Sequence, residues 1–113
     1  MQAKSYLTEM PDLGRLVSPY GDQTLPIHNW YSYKHGYSSA LARHLISECD
    51  LSKGEWVLDP FCGGGTTILA CKELGINAEG YDILPFSVFL SNVKLDDYDP
   101  EEIRSELKVL KSA

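Results

Sequence analysis

No run of apolar residues in this chain approaches the roughly 20 that a membrane-crossing helix requires, so no membrane span is expected. Basic residues are also short: ten Lys and Arg stand against sixteen Asp and Glu, a net charge of −6. Affinity for nucleic acid comes largely from neutralising phosphates, so these residues are not expected to form a broad phosphate-binding face. Cysteine is scarce. Cys49, Cys62 and Cys71 form an odd set without CxxC spacing, which argues against a disulfide framework and a zinc site. His28, His35 and His44 share no ligand spacing with them, so no metal is expected and these imidazoles are assigned surface or capping roles. The N-terminus mixes charges of both signs and has no continuous apolar segment of the secretory kind, which makes the cytoplasm the expected location.

What is present is an ordinary globular composition, 43% hydrophobic and 23% charged, neither disordered nor membrane-embedded. At 113 residues, the chain is one small domain or a piece of a larger one. Pro11, Gly14, Pro19, Gly21 and Pro26 are too closely spaced for a long helix or strand. Residues 1–26 are therefore expected to form an irregular N-terminal arm, and residues 27–113 the domain proper. Leu41, Ala42, Leu45, Ile46 and Cys49 make one helical stripe, with Ser38 or Ser39 as cap. "EWVLDP" reads as a short buried strand that Pro60 ends by removing a ladder donor. "TTILACKEL" reads as a helix stopped by Gly75, and "NAEGYDI" as a second strand ending near Asp82. "PFSVFLSNVKL" reads as a largely buried helix opened by Pro85. A last helix starts at a capping Asp99, with Glu101, Glu102 and Glu106 on a solvated face.

Helices alternating with strands predict an α/β fold, a parallel sheet with flanking helices. Two strands are fewer than such sheets usually hold. The expectation is a partial, Rossmann-like domain whose strand edge waits for further chain.

The stretch that carries chemistry is "VLDPFCGGGTT", Val57 to Thr67. A P-loop needs Lys and then Ser or Thr after its last glycine, but Gly65 is followed by Thr66 and Thr67, so nucleoside triphosphates are disfavoured. A dinucleotide fingerprint needs a third glycine where Ile68 stands, which makes NAD or FAD off-pattern. S-adenosylmethionine has no phosphates and offers a zwitterionic end, a ribose and an adenine. Backbone amides at the next helix start would favour its carboxylate, Asp59 its ammonium, and Asp82 its ribose hydroxyls. A plain turn and a plain helix cap are the competing readings of Gly63–Gly65 and Asp82.

At these residues the sequence resembles the DNA amino-methyltransferases, which methylate adenine N6 or cytosine N4. Asp59, Pro60, Phe61, Cys62, Gly63, Gly64, Gly65, Thr66 and Thr67 look like that family's cofactor motif. "EGYDILPFSVFLSNVK" looks like the stretch that follows, and "IHNWYSYKHGYSSALARHLI" like the one that precedes. The resemblance covers roughly residues 25 to 95. It implies S-adenosylmethionine as cofactor, DNA as substrate, a restriction-modification setting, and Asp82 with Ile83 at the ribose. It also implies that one or two aromatics of Trp30, Tyr31, Tyr33 and Tyr37 line the pocket, with Tyr33 the assigned one. Lys34 or a Ser hydroxyl would then stand near the carboxylate. Packing over a core edge is the alternative for those aromatics. Phe61 is expected beside the adenine or under the turn, and Cys62 as a small packing residue. The family's catalytic signature, Asp, Asn or Ser before Pro-Pro-aromatic, has no match because the chain contains no Pro-Pro. No catalytic residue is assigned. The resemblance therefore implies a cofactor-binding portion that meets DNA through a missing or separate region, with a second methyltransferase chain or a homo-oligomer as partner. An RNA guanine-N2 methyltransferase fragment and a non-catalytic subunit of a split enzyme are the alternatives.

Overall fold

Local chemistry sets most element ends. The Ser38 hydroxyl accepts from the Leu41 amide at 3.2 Å and starts helix α1, Ser39–Glu48. Gly75, at φ 70°, closes helix α2, Thr66–Leu74, in the left-handed conformation that suits glycine. Pro85 opens helix α3, Pro85–Leu95, and Asp99 caps helix α4, Pro100–Ser112, by accepting from the Glu101 amide. The computed structural model describes residues 8–113, so the first seven positions of the expected arm lie outside the described residues.

Strands β1, Trp56–Asp59, and β2, Asn77–Gly80, pair in parallel with Trp56 opposite Asn77 and Asp59 opposite Gly80. The connection runs through α2, which packs on both strands and is itself flanked by α1 and α3. The core sits at α2: Leu69, Ala70 and Cys71 are at most 1% exposed. This is an α/β arrangement of a two-stranded parallel sheet and four helices. Among the described residues, no helix is long and apolar enough to cross a membrane.

Two expectations need correction. β1 is not a buried strand: Trp56 is 63% and Leu58 61% exposed, because α2 covers the sheet face opposite to theirs. β2 ends at Gly80, just ahead of Asp82, and the Tyr81 amide still donates to the Asp59 carbonyl at 2.9 Å. α3 is not largely buried either. Phe86, Val88 and Phe89 are exposed, and its inward face is Ser87, Leu90, Ser91 and Lys94. Small polar side chains allow that approach: a Cβ on Gly65 would stand 2.7 Å from Ser91 Oγ. On α1, Ala42 and Ile46 are buried while Leu45 and Cys49 border an open apolar hollow shared with Val57.

Between the short 3-10 turns Pro11–Leu13 and Pro19–Asp22, the chain ahead of α1 is irregular. It is nevertheless bonded to the start of α1. Both the amide and the hydroxyl of Ser38 donate to the Leu16 carbonyl, at 3.0 and 2.7 Å. Asp22 accepts from the Ser39 amide at 2.7 Å and the Ser39 hydroxyl at 2.8 Å.

Candidate cofactor-binding site

β1 stops at Asp59, where Pro60 brings no amide to a ladder. The chain then folds back: the Phe61 amide donates to Asp59 Oδ1 at 3.1 Å, and the Gly65 amide to the Cys62 carbonyl at 2.8 Å. Gly63 and Gly65 sit at φ 50° and 79°, where a side chain would be strained. Gly65 is the N-cap of α2, so the first amides of that helix lack intrahelical partners. From the neighbouring strand end, Asp82 takes the Gly63 amide on Oδ2 and the Leu84 amide on Oδ1, both at 2.9 Å. The Leu84 bond first, and the Gly63 bond with it, hold the Asp82 carboxyl below its ordinary value. An ionised carboxylate has about four lone-pair sites, so two amides leave room for a ligand hydroxyl.

Asp59, Gly63, Gly65, Thr66, Thr67 and Asp82 thus converge at the carboxyl ends of the two strands. Tyr33 lies over the turn, since a Cβ on Gly64 would meet the Tyr33 Cβ at 3.3 Å. Lys34 is exposed and borders a separate hollow with Val17 and Tyr20. Phe61 and Ile83 are 85% and 94% exposed; Phe61 therefore does not pack under the turn, and Pro60 is exposed beside it. Cys62 is buried, and that burial pushes its thiol above the ordinary value, which suits packing rather than nucleophilic chemistry.

Three further residues have structural claims on this site: Tyr37, one of the four candidate aromatics, and Ser91 and Lys94, which were not singled out from the sequence. The Tyr37 hydroxyl donates to Asp59 Oδ2 at 3.2 Å and also bonds Thr67 Oγ1. Burial, with the Asp59 charge in support, raises the Tyr37 phenol above its usual value, so it stays a donor. Ser91 Oγ donates to the Gly63 carbonyl at 3.1 Å, and Lys94 Nζ to the Gly64 carbonyl at 3.0 Å. The signal available for the last two was the stripe Ser87, Ser91, Lys94 at helical spacing.

Behind the turn lies a cavity of about 160 Å³, bordered by Asp22, His28, Tyr33, Gly64, Thr66 and Lys94. His28 corrects the surface assignment given to the histidines. It is 8% exposed, with Nε2 3.2 Å from Glu73 Oε2 and Nδ1 3.9 Å from Asp22 Oδ2. A γ-turn delivers it there: Ile27 stands at φ 67°, and the His28 amide donates to the Pro26 carbonyl at 2.7 Å.

With this geometry in view, residues 18–91 match the family model for DNA methylases. The chain belongs to the DNA methylase family. The match begins ahead of the resemblance read from the motifs, inside the irregular segment bonded to α1. Among curated relatives, the chain is 48% identical over 91 residues to the type II methyltransferase M.BsoBI of Geobacillus stearothermophilus, covering 79% of this chain and 18% of that protein. It is 34% identical over 86 residues to the type II methyltransferase M.MjaII of Methanocaldococcus jannaschii, covering 76% and 16%. It is 30% identical over 93 residues to a tRNA (guanine(10)-N2)-dimethyltransferase of Methanothermobacter thermautotrophicus, covering 80% and 28%. The chain therefore spans less than a third of each of these relatives. No solved structure matches it.

Proposed function

We propose that this chain is the S-adenosylmethionine-binding portion of a DNA methyltransferase acting on an exocyclic amine of adenine or cytosine. The observation that carries the reading is the placing of Asp59 and Asp82 at adjacent parallel strand ends, with the glycine turn between them and the Gly63 amide tied to Asp82. The donor set suits the cofactor. Amides at the start of α2 and the Asp59 carboxylate complement a zwitterion, and spare Asp82 lone pairs complement a ribose diol. Two acids at a turn would repel a phosphate. Phe61 and Ile83 offer apolar walls for an adenine at the cleft mouth. When bound, the cofactor supplies the methyl group; Asp59, the turn and Asp82 bind and orient it. On this reading residues 27–113 are a partial Rossmann-like cofactor domain, residues 1–26 its arm, and the protein works in the cytoplasm.

Methyl transfer needs groups that position the target amine, and no Pro-Pro-aromatic loop stands in these residues. The proposal therefore assigns target binding to a second methyltransferase chain or region that also carries the contact with DNA. The bare sheet face of Trp56 and Leu58 favours such a subunit role. The test has two arms. Calorimetric titration with S-adenosylhomocysteine should give one site, and a folded sample without binding would sink the cofactor assignment. Methyl transfer to DNA should require a candidate second half; full activity of this chain alone would overturn the division of labour. The likeness to the tRNA dimethyltransferase gives the second reading, and offering tRNA and DNA to the reconstituted pair separates the two.

A further inference from the structure

Three successive carbonyls of the glycine turn are drawn into the protein. The Cys62 carbonyl takes the Gly65 amide, the Gly63 carbonyl takes Ser91 Oγ, and the Gly64 carbonyl takes Lys94 Nζ. In a trans peptide the carbonyl and the following amide point opposite ways. Anchoring the Gly63 carbonyl on α3 therefore aims the Gly64 amide away from α3, and among the described residues that amide has no partner. The other two amides of the turn are already taken, Gly63 by Asp82 and Gly65 by the Cys62 carbonyl.

Lys94 is an expensive way to satisfy one carbonyl. It is 4% exposed, and burial pulls its ammonium below the usual lysine value while the Asp22 charge opposes that shift. Removing an ammonium from water costs several kcal/mol, and an apolar side chain would fill the same space at less cost. The buried charge does have an electrostatic consequence. It places a positive charge behind the turn, beside the Gly64 amide and the helix start where an anionic group would bind.

We propose that Lys94 and Ser91 are positioning residues for the carboxylate end of the ligand: from α3, Ser91 turns the Gly63 carbonyl inward and leaves the Gly64 amide facing the cleft, while Lys94 holds the Gly64 carbonyl and sets its charge behind that amide. This rests on the cofactor reading above. The test compares two probes on the full chain, S-adenosylhomocysteine, which has the amino-acid end, and methylthioadenosine, which lacks it. Lys94→Met should weaken S-adenosylhomocysteine about tenfold, the scale of one lost bond to a charged group, and leave methylthioadenosine within about twofold. Ser91→Ala should do the same to a smaller extent, and Lys94→Arg should keep most of the discrimination. A merely structural role would weaken both probes alike, in step with the unfolding midpoint, and that result overturns the inference. If Lys94→Met does not fold, Ser91→Ala decides by the same ratio. Wild-type chain that binds neither probe removes the cofactor reading and this inference together, whereas wild-type binding with unchanged ratios in the variants removes the inference alone.

Discussion

The Gly63 amide donates to Asp82 Oδ2 at 2.9 Å, so one carboxylate ties the glycine turn to the end of β2. Its second oxygen holds the Leu84 amide, which fixes the approach to α3. Because these bonds lower the Asp82 carboxyl, its contribution to stability is complete above the unfolded value of about 4 and is lost as pH falls through the folded value. Urea midpoints measured from pH 6 down to pH 2 should show a fall below about pH 4 that is shallower in Asp82→Asn. The same variant should bind S-adenosylhomocysteine about tenfold more weakly or worse. Superimposable pH profiles would remove the linkage.

Gly65 answers to two constraints at once, backbone and packing. A non-glycine residue in the left-handed region costs about 1–2 kcal/mol, and Gly65 at φ 79° also has Ser91 Oγ 2.7 Å from where a Cβ would stand. Gly75 shares the backbone constraint at φ 70° but has nothing within 4 Å. Gly75→Ala should therefore cost about 1–2 kcal/mol and Gly65→Ala about 2–5 kcal/mol, read from chemical unfolding of both. Equal losses would mean that α3 does not press on the turn.

What could be read from the sequence was what neighbours decide. Gly75 stops α2, Pro85 opens α3 and Asp99 caps α4 because caps and turns depend on a few adjacent residues. The two acids at strand ends were legible for the same reason, as each follows a short strand and precedes a turn or helix. Long-range packing was not legible. The Lys94 bond to the Gly64 carbonyl joins positions far apart in sequence, and although Ser87, Ser91 and Lys94 form a stripe at helical spacing, nothing local in an apolar-looking α3 says that this stripe faces inward. His28 looked like a surface imidazole because Asp22 and Glu73 come from other segments. The bare side of β1 depends on which helices cover the sheet, and no residue in β1 encodes that.

Asp22 tests whether the segment ahead of α1 is part of the folded unit. Its carboxylate accepts both the amide and the hydroxyl of buried Ser39. Asp22→Ala leaves two buried donors unsatisfied, each worth about 1–3 kcal/mol, and Asp22→Asn, which keeps an acceptor oxygen, should cost less. Thermal unfolding should remain one transition with a lowered midpoint. No change in midpoint would make the segment a detachable arm.

Leu58 and Leu69 measure whether the sheet is covered on one side only. Leu69 on α2 is 1% exposed, and Leu58 on β1 is 61% exposed. Truncation of a buried leucine typically costs about 2–5 kcal/mol, whereas surface changes usually stay within about 0.5 kcal/mol. Leu69→Ala should fall in the first range and Leu58→Ala near the second when unfolding is followed at low micromolar concentration. A second chain laid on the Trp56 and Leu58 face would bury both side chains, and the Leu58→Ala cost would then rise with protein or partner concentration. A Leu58→Ala cost above about 2 kcal/mol at every concentration would instead require cover from within the same chain, against the one-sided packing of α2 on β1 and β2.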